Sequence, residues 1–365
     1  MRILIAGDWH SDLHEEEVFR SLGRLGHEAI RFKWCDYFHS PTGLLFAAKS
    51  IFARAQNKFV TGPLISKLNR DLIAQCILAA PEIIFIYRGT HITSSTLRKI
   101  KTALPACILI GYNNDDPFAP NHPPYLWRHF IESIPEYDLM LAYRHSNLLE
   151  FLNAGAKKVE LLRSWFIGER NHPVELNETE RLSFGSDVVF VGHFEPDQRL
   201  EYLEEIVKQG FKLRLFGPPK YWEKPLAQSP VLGNLPPVRM VWGREYNLAL
   251  SGSKVALCFL SKLNRDTYTR RCFEIPSTRT LMLSEYSKDL ASLYQEGVEA
   301  DYFRDRDELI AKLDYYVKNV ESRKQVANNG FEKVHAAGHD VDSRMREMLG
   351  WASDLATNTG HRSLG

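Results

Sequence analysis

The residues richest in possible chemistry lie at 261–285, SKLNRDTYTRRCFEIPSTRTLMLSE. Asn264, Arg265, Asp266, Arg270, Arg271 and Glu274 crowd into eleven residues between two apolar runs of strand length. A polar turn that opens a helix after a strand presents free N–H groups to an anion. Arginine adds a forked, charge-assisted grip on phosphate. A carboxylate such as Glu274 can accept both hydrogen bonds of a ribose diol. A solvated, salt-bridged helix end would explain any one of these residues, but explains the whole cluster less well.

A second chemistry is suggested by the opening, MRILIAGDWHSD. An Asp8-Trp9-His10 turn after a short strand is how binuclear metallophosphoesterases begin. Two metals would need about six ligands or more, supplied from several strand ends. No GDxxD and no GNH follows, and Gly338-His339-Asp340 falls in a helical tail. The opening is therefore read as the plain turn after a first strand. A nicotinamide site is disfavoured too, because GDWHSD offers one glycine where GxGxxG is required.

These residues need elements to position them. Apolar runs at 2–6, 29–34, 83–87, 107–112, 139–143 and 159–162 read as buried strands. Helix-period segments near 14–25, 62–79, 93–103, 124–133 and 145–154 separate them. Runs apolar throughout imply strands covered on both faces, hence a parallel sheet. Residues 164–186 are polar and irregular and read as a linker. A second series follows, with strands at 187–191, 212–216, 238–241, 255–259 and 280–284. Its helices are expected near 197–209, 245–251, 268–275, 305–317 and 320–336. The expectation is an α/β chain of two Rossmann-like domains, 1–165 and 187–338, joined by a linker at 166–186. A helix and tail at 339–365 carries Met345, Met348, Leu349, Trp351 and Leu355 on one stripe. Ligands of such sheets sit at the carboxyl ends of the strands.

Bulk properties narrow the classes. With 44% apolar and 25% charged residues the chain is a soluble globular type, and a net charge of +1 gives no field for nucleic acid. No apolar run approaches the roughly 20 residues of a membrane span. Cys35, Cys76, Cys107, Cys258 and Cys272 lie far apart without a CxxC, which argues against a disulfide frame or zinc knuckle and for a reducing cytoplasm.

Several stretches resemble a known family. Residues 188–194, VVFVGHF, with Arg199 beyond, resemble the FVG turn of the donor half of GT-B glycosyltransferases. Residues 271–276, RCFEIP, resemble the R-x-FEIP motif of the spore-maturation-protein-type branch of the group-1 (family-4-like) enzymes. Residues 281–284, 290–294 and GVEA at 297–300 are similar to the same branch, and GTHI at 89–92 and YNNDDPF at 112–118 to its acceptor-side loops. The resemblance implies two domains facing across a cleft, the acceptor on the first and a UDP- or GDP-sugar on the second. It further implies a tail crossing back to the first domain, and no metal. It implies that Glu274 holds the ribose, Arg271 the pyrophosphate, and Asp266 stands where a first acid touches the donor sugar. His193 and Arg199 stand at phosphate-gripping positions beside Gly192. The turn through Trp242, Gly243 and Tyr246 stands where the base is read, and Gly217 where a side chain would crowd the nucleotide. An acceptor base would come from the first domain: Asp116 or Asp115, then His91, then Asp8 or His10. The implied function is transfer of a sugar to a carbohydrate, lipid-linked or protein acceptor hydroxyl in bacterial envelope synthesis. The rivals are a nucleotide-sugar epimerase of the same fold and a catalytically silent binding protein.

Residues 42–60 form a basic amphipathic pattern, with Leu44, Leu45, Ala48, Ile51, Phe52, Ala55 and Phe59 at helical spacing beside Lys49, Arg54 and Lys58. Such a helix can lie on an anionic bilayer at the inner face of the plasma membrane. The competing reading is an ordinary surface helix whose apolar side packs on the first domain.

Overall fold

The computed structural model describes residues 1–38, 47–120 and 122–360. The chain divides into two compact units, one formed by residues 1–163 with the tail from Val341, the other by Ser164–Asp340.

The first unit is built on a parallel sheet of six strands. These are β1 (Arg2–Gly7), β2 (Glu28–Lys33), β3 (Ile83–Tyr87), β4 (Ile108–Asn113), β5 (Leu139–Ala142) and β6 (Val159–Leu161). Their order is β2-β1-β3-β4-β5-β6. Helices on both faces explain why β3 and β5 are apolar at every position. Leu4, Ile84, Leu109 and Met140 are fully buried, each contributing about 1.5–3 kcal/mol relative to exposure. The unit is completed late in the sequence: the helix Val341–Gly360 packs on the helix Glu15–Arg24. Met345 and Met348 are buried, and Arg24 Nη2 reaches Asp342 Oδ1 at 2.6 Å.

The second unit holds a five-stranded parallel sheet. Its strands are β7 (Ser186–Val191), β8 (Leu213–Phe216), β9 (Ser253–Cys258), β10 (Leu281–Glu285) and β11 (Asp301–Phe303). The order is β11-β10-β9-β7-β8, and β7 and β9 lie side by side at its centre.

Four sequence expectations change. Residues 166–186 are no linker. Trp165, Phe166 and Ile167 are buried, Phe166 N–H donates to the His339 carbonyl at 3.1 Å, and Glu178–Phe184 is a helix. A capping box starts that helix: Asn177 Oδ1 accepts from Glu180 N–H and Glu180 Oε2 from Asn177 N–H. Residues 238–241 form no strand. Pro236 and Pro237 precede them and lack ladder donors, and the segment's backbone bond beside the sheet, Gly217 N–H to the Arg239 carbonyl at 3.0 Å, falls just past β8. The short strand β11 was not anticipated. The helix expected at 268–275 runs from Arg271 to Ser277.

Of the amphipathic pattern at 42–60, Leu44 and Leu45 lie outside the described residues. The helix Ala47–Phe59 is present, with Ala53 and Gln56 buried and Ile51 and Phe52 63% and 65% exposed. Ile51 and Phe52 thus do not pack on the first unit.

Candidate functional site

The sheet of the second unit brings several of the singled-out residues to one edge. Gly192 directly follows β7, Gly217 directly follows β8, and the helix Arg271–Ser277 follows the loop after β9. Gly217 has φ +150°, and a Cβ there would collide with the Gly192 carbonyl oxygen, which already accepts from Trp222 Nε1 at 2.9 Å. Glycine is thus required by backbone approach alone. At Gly192 an added Cβ would come within 3.2 Å of Arg271 Nη1; the missing side chain lets the guanidinium lie against the strand end.

Arg271 is the unusual member. Its Cζ lies 5.7 Å from the centre of the Phe190 ring. Its Nε is buried without a hydrogen-bond partner, and among the described residues it forms no ion pair. Three residues on, Glu274 is buried and Oε2 accepts from the Tyr246 hydroxyl at 2.7 Å. Burial first, then the Glu274 carboxylate, pushes the Tyr246 hydroxyl well above its usual range, so it stays a donor. Oε1 has no protein donor among the described residues. An unpaired cation and a carboxylate with one oxygen to offer, a turn apart, can bind an anion and a hydroxyl pair together.

Arg199 does not serve as expected. It is almost fully buried and gripped by Asp197 through two bonds, Nε to Oδ1 at 2.7 Å and Nη2 to Oδ2 at 2.8 Å. Glu195 lies 3.4 Å away, and Nη1 donates to the His193 carbonyl at 3.0 Å. Its guanidinium holds the loop 193–197 and has no free fork for phosphate. His193 is half exposed, with Nε2 3.4 Å from Glu195 Oε1. Trp242 is exposed and Gly243 takes φ +52° ahead of the helix Arg244–Ser251, a conformation that favours glycine. Asp266 sits in the loop after β9, its N–H donating to the Ser261 carbonyl at 2.8 Å.

In the first unit the candidates lie beyond the carboxyl ends of β3 and β4. Asp116 is fully buried, and its Oδ1 accepts from Phe118 N–H and from Asn147 Nδ2, both at 3.0 Å. That is a loop anchor, and it places Asp116 poorly for removing a proton from a substrate. Asp115 is partly exposed and pairs with Arg88 Nη2 at 2.8 Å. His91 is buried, bonded to Thr90 Oγ1 and Asn57 Oδ1 at 2.8 Å each, and stacked on Trp34. Burial, helped by the Arg88 and His129 charges, pulls it down to about 3. So acidic an imidazolium makes a weak base.

His10 is exposed, and Trp9 takes φ +56° with its N–H on Glu15 Oε1 at 3.3 Å. Glu15 was not singled out in the sequence. It is buried against Gly7, and burial raises its carboxyl above the usual range. Among the described residues no group of three or more His, Cys, Asp or Glu side chains is placed to hold a metal. Arg88 was also missed. Its signal was its place, directly after a strand and ahead of a glycine.

The comparisons fit this geometry. Solved structures share the fold over nearly the whole chain, and the class they define is the GT-B fold. Residues 198–350 match the model of a family described as glycosyl transferase-like. Among solved structures, HepE of Anabaena in complex with UDP-glucose is 12% identical, with a TM-score of 0.67, covering 97% of this chain and 100% of that one. Sucrose-phosphate synthase of Thermosynechococcus elongatus is 10% identical, with a TM-score of 0.70, covering 98% and 100%. The trehalose 6-phosphate synthase of Burkholderia multivorans is 9% identical, with a TM-score of 0.66, covering 99% and 98%. No curated protein sequence matches the chain. No described helix is long and apolar enough to cross a membrane.

Proposed function

We propose that this protein is a nucleotide-sugar-dependent glycosyltransferase, with the donor on the second unit and the acceptor on the first. The observation that carries the reading is Arg271, a cation with a buried Nε and in ion-pair contact with no carboxylate among the described residues, one turn from the Glu274–Tyr246 pair. The complex of HepE with UDP-glucose supports a uridine diphosphate donor. As the glycosidic bond breaks, negative charge develops on the leaving diphosphate. Arg271 is already in place to meet it, and a preorganised donor lowers the barrier without moving. Glu274 Oε1 would accept from the ribose diol while Tyr246 fixes the carboxylate. Arg271 supplies this charge without a metal. Asp115, partly exposed and oriented by Arg88, is the base we assign to the acceptor hydroxyl, ahead of Asp116 and His91.

The exposed Ile51 and Phe52 on a helix with Arg54 and Lys58 favour a lipid-linked acceptor, met at an anionic membrane surface on the cytoplasmic side. That chemistry suits envelope polysaccharide or glycolipid synthesis, as the spore-maturation-type motif suggests. Replacing Ile51 and Phe52 by serine should release the protein from phosphatidylglycerol vesicles in a co-sedimentation assay. Undiminished binding would remove the membrane contact and leave the donor site standing.

The experiment that tests the main reading is titration calorimetry in EDTA with UDP, GDP, ADP, CMP and dTDP. One nucleoside diphosphate should bind, and Glu274→Ala should abolish it. Binding only after manganese is added would overturn the metal-free mechanism. Donor turnover that yields free sugar under every acceptor tested would favour the epimerase. Nucleotide binding with no turnover at all would favour the silent binding protein.

A further inference from the structure

A cavity of about 350 Å³ opens at the other end of the second sheet, where β9 and β10 begin. Four cations line it, Lys254, Arg279, Arg323 and Lys324, with Thr280 and Asn328 beside them. Among the described residues no acid does. It shares no residue with the cluster at the carboxyl ends of the strands.

The four charges are unevenly answered. Lys254 pairs with Asp187 at 2.7 Å. Lys324 has only a solvent-exposed contact with Glu321 at 3.6 Å, which screening leaves weak. Arg323 Nη1 donates to the Tyr316 carbonyl at 2.6 Å. A neutral carbonyl does not balance its charge, and burial holds Arg323 below its usual range against the opposing pull of Asp187, the acid that pairs with Lys254. Arg279 has no carboxylate partner among the described residues. Its guanidinium carbon lies 4.3 Å from the centre of the Phe331 ring, and its backbone is left-handed at φ +56°. Backbone strain of this kind persists only where the surroundings compensate it.

We propose that this cavity is a second binding site, for a small molecule bearing a phosphate group. Clustered like charges around a hollow repel each other, and a multiply charged anion offsets that repulsion. Planar guanidinium forks suit phosphate oxygens. The volume is at the lower bound of ordinary small-molecule pockets, about 300–1,000 Å³, and exceeds what a bare phosphate ion fills. A hexose phosphate is therefore the class of ligand the cavity fits. Arg279 lies two residues past the helix that carries Arg271 and Glu274, just after its C-cap Thr278, so the ligand would sit near the far end of the element that carries the donor residues.

The test is titration calorimetry on the full chain with inorganic phosphate and with glucose 6-phosphate. Both should bind, glucose 6-phosphate the more tightly, and both should still bind Arg271→Ala. The double variant Arg279→Glu, Lys324→Glu should weaken both by about tenfold or more, with its melting temperature without ligand unchanged. Arg279→Gln alone gives the same readout if the double variant fails to fold. Undiminished binding in these variants, loss of binding in Arg271→Ala, or no heat from either probe at millimolar concentration would overturn the site. Inorganic phosphate binding as tightly as glucose 6-phosphate would overturn the ligand class.

Discussion

The two sheets end in similar edges and use their charged residues differently there. In the first unit Asp116 is held by Phe118 and Asn147, His91 by Thr90 and Asn57, and Asp115 meets Arg88. In the second, Arg199 is locked by Asp197 and Glu195, while Arg271, 72 positions later in sequence number (271 − 199), has no such partner. Residue type alone does not distinguish Arg199 from Arg271. A charge answered by the protein shapes a loop, and a charge left unanswered is available to a ligand. Asp115 and its neighbour Asp116 differ instead in access: Asp115 is ion-paired with Arg88 yet partly exposed, whereas Asp116 is fully buried.

Four substitutions sharpen or break that contrast. The largest effect is expected at Asp115: Asp115→Asn should lower kcat by about 10²–10⁴ at an unchanged melting temperature. Asp116→Asn should instead lower the melting temperature. Steady-state kinetics beside a thermal melt separates the two, and the reverse pattern would exchange their roles. Next, Arg199→Ala should cost about 3–5 kcal/mol of stability in urea, because it strands the buried Glu195 and the partly buried Asp197. Arg271→Ala should cost at most about 1 kcal/mol, yet weaken nucleotide binding about ten- to a hundredfold. Equal destabilisation by both would end the distinction between them.

A further effect concerns pH. His91 is about 3 in the folded chain and near its ordinary 6.5 when unfolded. Between these values the unfolded chain binds the extra proton, so stability falls as pH drops through 6.5 toward 3. The slope approaches about 1.4 kcal/mol per pH unit. His91→Gln should flatten that acid limb in urea melts taken from pH 7 to 4. An unchanged slope would mean that His91 protonates as easily in the folded chain as in the unfolded one.

Much of the fold was legible because β1, β3, β5, β7 and β9 are short apolar runs separated by helical periods. Residues 238–241 misled because four mostly apolar residues look like a strand, while the decisive signal, the two prolines before them, acts through missing donors. Residues 164–186 misled in the opposite sense. Their polar composition hid Trp165, Phe166 and Ile167, and the Asn177–Glu180 capping box was a readable helix start that went unread. In the candidate site, the type and place of Arg271 and Glu274 were readable. The engagement of Arg199 was not, because it depends on Asp197, two residues away, curling back onto the side chain. Arg88 was invisible as chemistry until Asp115, 27 positions on (115 − 88), came to lie against it.

The return of the chain to its first unit at Val341 has a consequence for the order of events during synthesis. The second unit is one continuous segment, Ser164–Asp340, whereas the first awaits the helix that brings Met345 and Met348. Domains generally mature on the ribosome from the amino end. Here the part translated first is expected to finish last, and pulse-labelled nascent chains should acquire protease resistance in residues 164–340 before residues 1–163.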